Sequence, residues 1–161
     1  MMGKKLELLV IHCTATPEGR EVTSDEIRKW HTAPPPAGRG WNQVGYSDII
    51  HLDGQIENLV EFDNDSEVDL WEITNGATGF NGIARHIVYA GGTTKNGAAF
   101  DTRTPKQKEA IMTYIQYMIF RYPDIKIAGH TDLDPKKACP SFNISRFCLA
   151  NGIPAKNLYK P

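Results

Sequence analysis

The chain has 161 residues and a mass of 18.0 kDa, the size of one domain. Apolar residues make up 40% and charged residues 23%, and 18 basic side chains against 19 acidic ones leave a net charge of −1. That balance excludes a disordered chain and a dominant phosphate-binding surface, and three cysteines are too few and too odd in number for a disulfide scaffold.

The elements follow from period and punctuation. Leu6–His12 is a short apolar run rich in Leu, Val and Ile and reads as a buried strand. Glu7 and His12 make the N-terminal run too short and too polar for a signal peptide, so the chain is expected to be cytoplasmic as synthesised. Thr23 to Glu26 (TSDE) has capping-box spacing and opens a helix through Trp30. Ala33 to Gly40 is a Pro/Gly-rich surface loop, too short to divide the chain, so residues 1–161 form a single domain. Ser47–Leu52 and Gln55–Leu59 flank Asp53-Gly54, a two-residue hairpin signal. Ala84–Ala90 is a further strand. Thr104-Pro105 and Gln107 cap a long helix with a stripe of Ile111, Tyr114, Ile115, Met118 and Tyr122, which Pro123 ends. A short strand over Ile125–Ala128 and a helix over Asn143–Ala150 complete the chain. The order predicts an α/β domain, a mixed central sheet flanked by helices.

Two segments carry chemistry. His12 stands at the end of the first strand, and His130 follows the last one, with Cys139 nine residues further on. Histidine and cysteine are common zinc ligands, and three protein ligands with an open position mark a catalytic rather than a structural site. Such a site predicts metal-assisted hydrolysis of a carbonyl compound. Each segment alone reads as readily as a core histidine or a buried free cysteine. A closed site needs a fourth ligand, for which His31, His51 and His86 are available. A hydrolase also needs a donor for the developing oxyanion and a proton carrier. Tyr46 precedes a strand, and Lys136 and Lys137 lie beside Cys139; spacing does not choose between the two lysines.

These residues resemble the type-two, zinc-dependent N-acetylmuramoyl-L-alanine amidases, which share a fold with peptidoglycan recognition proteins. The resemblance rests on His12 to Thr16 (HCTAT), Ile27 to His31 (IRKWH), Val44-Gly45-Tyr46, the Asp53-Gly54 turn and Gly79-Phe80-Asn81. It continues through Gly91-Gly92, Phe100-Asp101 with Thr104 to Gln107, and Gly129-His130 through Cys139 to Phe142. The blocks run in family order over nearly the whole chain. The resemblance implies hydrolysis of the amide between N-acetylmuramic acid and L-alanine of peptidoglycan. It implies Zn2+ on His12, His130 and Cys139, with Tyr46 and Lys137 assisting catalysis. Asn75, Phe80 and Asn81 fall where the substrate groove is expected. The His130–Cys139 loop is one residue longer than in phage-type members, and Thr74 to Thr78 stands where many relatives carry a groove histidine.

Peptidoglycan or a muropeptide is then the expected partner, reached after release of an endolysin-like or prophage-encoded enzyme. Two other readings use the same scaffold: a non-catalytic peptidoglycan-binding module, and a regulatory interaction protein. Related recognition proteins without hydrolysis typically lack the ligand cysteine, which is present here. Cys13, next to His12, is expected on the opposite strand face as a small buried hydrophobe, and Cys148 in the core of the last helix, with no disulfide.

Overall fold

The computed structural model describes residues 2–161. In chain order the strands are β1 (Lys4–Lys5), β2 (Leu8–Cys13) and β3 (Thr16–Pro17), followed by helix α1 (Ser24–Thr32). Then come β4 (Asp48–Ile50), β5 (Ile56–Asn58), β6 (Glu67–Val68), β7 (Ala84–Tyr89) and β8 (Gly92–Thr93). Helix α2 (Pro105–Arg121), strand β9 (Lys126–Gly129) and helices α3 (His130–Leu133) and α4 (Ile144–Ala150) close the chain. The central sheet has the order β5-β4-β7-β2-β9. Its four inner pairings are parallel except at β5, which runs antiparallel to β4. The expected mixed α/β sheet is therefore present. The two-residue pairs β1–β6 and β3–β8 lie outside it and have too little sequence signal to be read in advance.

Both principal helices begin where their caps place them. Thr23 accepts from the Glu26 amide and Thr104 from the Gln107 amide, and each glutamate or glutamine returns the bond to its cap. Helix α2 buries Ile111, Met112, Ile115 and Met118 against Leu9, Ile11, Ile87 and Tyr89 of the sheet. Each such side chain contributes about 1.5–3 kcal/mol by leaving water. On the other face, Ile27 of α1 packs with Ile49 and Val88. The strands β2 and β7 are wholly buried on both sides, as parallel strands between two layers are.

One local expectation is corrected. The hairpin turn is longer than the Asp53-Gly54 signal implied. The Gly54 amide donates to His51 O and the His51 amide to Gln55 O, so Leu52, Asp53 and Gly54 form a three-residue loop. Gly54 takes φ +83°, the left-handed conformation such a loop requires. His130 directly follows β9, as expected, and is the first residue of the short helix α3.

Candidate active site

Alternation along a strand puts successive side chains on opposite faces. On β2 it turns Leu9, Ile11 and Cys13 toward α2 and turns Val10 and His12 the other way. His12 is fully buried. Its ring lies 4.8 Å from His130, 5.0 Å from His86 and 5.1 Å from Tyr46, centre to centre.

His130 reaches the same point because β9 pairs with β2 and ends at Gly129. A side chain at Gly129 would meet Pro140 Cδ at 2.8 Å, so a glycine is needed where the Cys139 loop crosses the strand end. That loop is tied shut. The Thr131 amide donates to Cys139 O at 2.8 Å, Tyr89 Oη to Pro140 O at 2.6 Å, and Ser141 Oγ to Gly92 O at 2.8 Å. The result brings Cys139 Sγ to 3.6 Å from His12 Nδ1. The ligand-type atoms of His12, His130 and Cys139 lie within 4.8 Å of one another.

The three residues named from the two sequence segments are thus assembled at one point. The candidate fourth ligands are not. His51 is held on the surface between Glu21 and Glu57. His31 Nδ1 accepts the Gly45 amide at 3.0 Å. Both ring nitrogens of His86 are engaged, one by His12 and one by Asn81.

Electrostatics favour the metal-binding form of the imidazoles. Burial pushes the His12 ring well below its ordinary value, aided by the neighbouring histidines. Burial and the Lys137 charge lower His130. Burial also brings His86 down to about 3, and His31, with Arg39 nearby, to about 4. All four rings are neutral at pH 7. The Cys139 thiol is pushed up by the adjacent Cys13 thiol and by burial, against the Cys13 amide and the Lys137 ammonium, which lower it. The Cys13 amide donates to Cys139 Sγ at 3.3 Å.

Cys13 therefore needs a correction. It does face the α2 side and is buried. It is not merely a small hydrophobe, since its amide touches the Cys139 sulfur and its thiol lies 3.7 Å from Ser141 Oγ. Cys148 is fully buried in the core, and all three cysteines are free.

An open groove of about 210 Å³ leads to this cluster, lined by His31, Arg39, Trp41, Tyr46, His130 and Lys137, among others. Tyr46 sits between His12 and His31, and burial raises its phenol well above the ordinary value. Lys137 lines the groove whereas Lys136 does not. Asn75 also lines it, its Nδ2 donating to Gln43 O. Asn81 borders an adjoining cleft with Trp41, Asn42 and Leu70. Phe80 lies outside both linings and packs edge-on against Tyr159.

Sequence reasoning gives Arg39 and Trp41 no role and His86 only that of a candidate fourth ligand. Trp41 stacks 4.9 Å from His31, and the Arg39 guanidinium lies 5.0 Å over the Trp41 ring. The available signal was the Pro/Gly loop itself, whose two ends carry His31 and Trp41. The Trp41 amide donates to His31 O and folds the loop back on itself. For His86 the signal was two buried strands each carrying one histidine.

Residues 2–142 match the family described as N-acetylmuramoyl-L-alanine amidase. The endolysin of Enterobacteria phage T3 is 30% identical over 147 residues, covering 91% of this chain and 88% of that protein. The endolysin of Klebsiella phage KP32 is 30% identical over 145 residues, covering 90% and 87%. Among solved structures, the amidase LysC from Clostridium intestinale has a TM-score of 0.70 at 21% identity, covering 94% of this chain and 88% of that one. Drosophila PGRP-LB has a TM-score of 0.63 at 22% identity, covering 87% and 76%. At those identities the two structures establish the fold.

Proposed function

The chain belongs to the N-acetylmuramoyl-L-alanine amidase family and hydrolyses peptidoglycan, and we propose that it does so with zinc held by His12, His130 and Cys139. The donor set suits that ion: two neutral imidazoles and one sulfur, borderline-soft ligands within 4.8 Å of each other. When bound, zinc supplies Lewis acidity toward the scissile carbonyl and toward water.

The chain's own residues do the rest. His12 and His130 present neutral ring nitrogens, and Cys139 ionises on binding. Tyr46, kept protonated by burial, donates a hydrogen bond to the oxygen on which negative charge develops. Lys137, at the groove edge, adds its charge to that oxygen or passes a proton to the leaving nitrogen. Asn75 contacts the substrate from the groove wall. Asn81 does so only from the adjoining cleft, and Phe80 backs the wall in the same small cluster as Leu133. The endolysin relatives support a chain made in the cytoplasm that meets the wall after release. No described helix is long and apolar enough to cross a membrane.

The observation that carries this reading is the convergence of His12, His130 and Cys139 at one point, where His130 lines the same groove as Tyr46 and Lys137. The test measures bound zinc and the L-alanine amino termini newly released from cell-wall sacculi. Wild-type protein is expected to hold one zinc and release amino termini, and Cys139→Ala to lose both. Full zinc content in Cys139→Ala would remove Cys139 from the ligand set.

A further inference from the structure

His86 is fully buried and touches neither groove nor solvent, yet both its ring nitrogens are hydrogen-bonded. Parallel pairing of β2 with β7 sets Val10 opposite His86 and His12 opposite Val88, so the two histidines share one face of the sheet. Nε2 of His12 lies 2.9 Å from Nδ1 of His86. Nε2 of His86 lies 3.1 Å from Oδ1 of Asn81. That same Asn81 atom receives the Ala77 amide at 2.8 Å.

The direction of every bond in this chain follows from its far end. A backbone N–H can only donate, so the Asn81 atom facing Ala77 is the carbonyl oxygen, not the amide nitrogen. An amide oxygen can only accept, so His86 Nε2 carries a hydrogen. The two ring partners of His86 are an imidazole and a carboxamide, and no carboxylate touches it. A charged ring buried there would lack compensation, so His86 is neutral and its Nδ1 is a bare lone pair. It must accept from His12, whose Nε2 then carries the hydrogen. His12, also neutral and buried, is left with its lone pair on Nδ1, the nitrogen that faces Cys139 Sγ at 3.6 Å.

We propose that Asn81 and His86 are positioning residues that hold His12 in the Nε2–H tautomer, so that Nδ1 is the nitrogen offered to the metal. The inference rests on the zinc reading above. Partners behind a ligating histidine commonly fix its tautomer and ring orientation in this way. The Thr74–Thr78 segment serves the same end. A Cβ at Gly76 would fall 2.5 Å from His86 Cγ, so glycine lets this backbone press flat on the ring. The segment that walls the groove thus also clamps the relay, through the Ala77 amide on one side and Gly76 on the other. Asn81, expected from the resemblance to contact substrate, turns its oxygen inward to this work.

Long-range 1H–15N NMR of the histidine-labelled, zinc-free full chain reads the tautomer directly. Competition with a chromophoric chelator for Zn2+ reads affinity. Wild-type His12 is expected as Nε2–H with an unprotonated Nδ1. Asn81→Ala frees His86 to rotate its hydrogen to either nitrogen, so His12 should show mixed tautomers and zinc affinity should fall about 10–100-fold. A wild-type His12 protonated at Nδ1, or an Asn81→Ala protein with unchanged His12 signals and zinc affinity, overturns the inference. Should Asn81→Ala fail to fold, the wild-type spectrum still decides. A wild-type chain that binds no zinc would instead sink the ligand assignment, which the zinc-free spectrum does not depend on.

Discussion

On the side of β2 and β7 that meets α2, Leu9, Ile11, Ile87 and Tyr89 pack against Ile111, Ile115 and Met118. On the other side the same two strands bury His12 and His86. Both faces are dry, but they are held by different physics. The α2 face is non-directional and answers to volume. The histidine face is a chain of directed bonds in which each buried polar atom needs its partner. Substitutions on the first face should therefore change stability and leave turnover per folded molecule alone. Substitutions on the second should change chemistry at modest cost in stability.

The largest effect belongs to the cluster of His12, His130 and Cys139. Cys139→Ala, which removes one of the three converging side chains, should lower amide hydrolysis by more than about 100-fold, since even residues behind a ligand cost about 10–100-fold. Its far-UV spectrum should stay native. A variant that loses structure along with activity would mean that the two faces are not separable. On the apolar side, Ile115→Ala should cost about 2–5 kcal/mol in urea unfolding, because a fully buried side chain leaves a cavity. Its kcat under folding conditions should match wild type. Tyr46→Phe removes one hydroxyl and should lower kcat about 10²–10³-fold with little change in KM, the pattern of a donor used only at the transition state.

How much of this could be read from the chain alone follows the same division. The α2 stripe, both capping boxes and the strand over residues 84–89 are legible because period and caps are local signals. His12 and His130 are legible because each stands beside a strand end, and with Cys139 nine residues after His130 the three residue types imply a metal. His86 was not, because its role depends on which strands pair and in what register, and no local pattern encodes that. The outward-facing residues of the Pro/Gly loop escaped for a related reason: Arg39 and Trp41 join the groove only once the loop folds back on α1. Cys13 was half-read, since alternation gives the direction of its side chain but not the partner of its backbone amide.

The pH dependence of stability probes the polar face from a position outside the cluster of His12, His130 and Cys139. Burial lowers the His31 ring to about 4, so in the folded chain it stays neutral through the range where an unfolded histidine takes up a proton, near 6.5. Between those values the unfolded state binds more protons, and stability falls as pH falls. The contribution is complete above about pH 6.5 and is lost on acidification toward 4, at no more than about 1.4 kcal/mol per pH unit. Urea midpoints at pH 7 and 5 should fall further for wild type than for His31→Gln at the same zinc concentration. Equal drops would mean that the ring is charged in the folded chain.

The smallest effect is the most exacting test of whether the faces are independent. Thr104 Oγ accepts the Gln107 amide at 3.1 Å and donates to Leu52 O at 2.7 Å, so it caps α2 and ties it to the loop after β4. Gln107 in turn donates to Ala90 O at 2.9 Å, just past the end of β7. This network runs from the apolar side to the ends of the strands that carry the site. Thr104→Ala removes one cap and should cost about 1 kcal/mol. If the faces are independent, hydrolysis by the folded protein and its zinc affinity should both be unchanged. A drop in zinc affinity alongside that stability loss would mean that the strand ends move with α2. The position of His12 would then be set by the helix as well as by its hydrogen bond to His86.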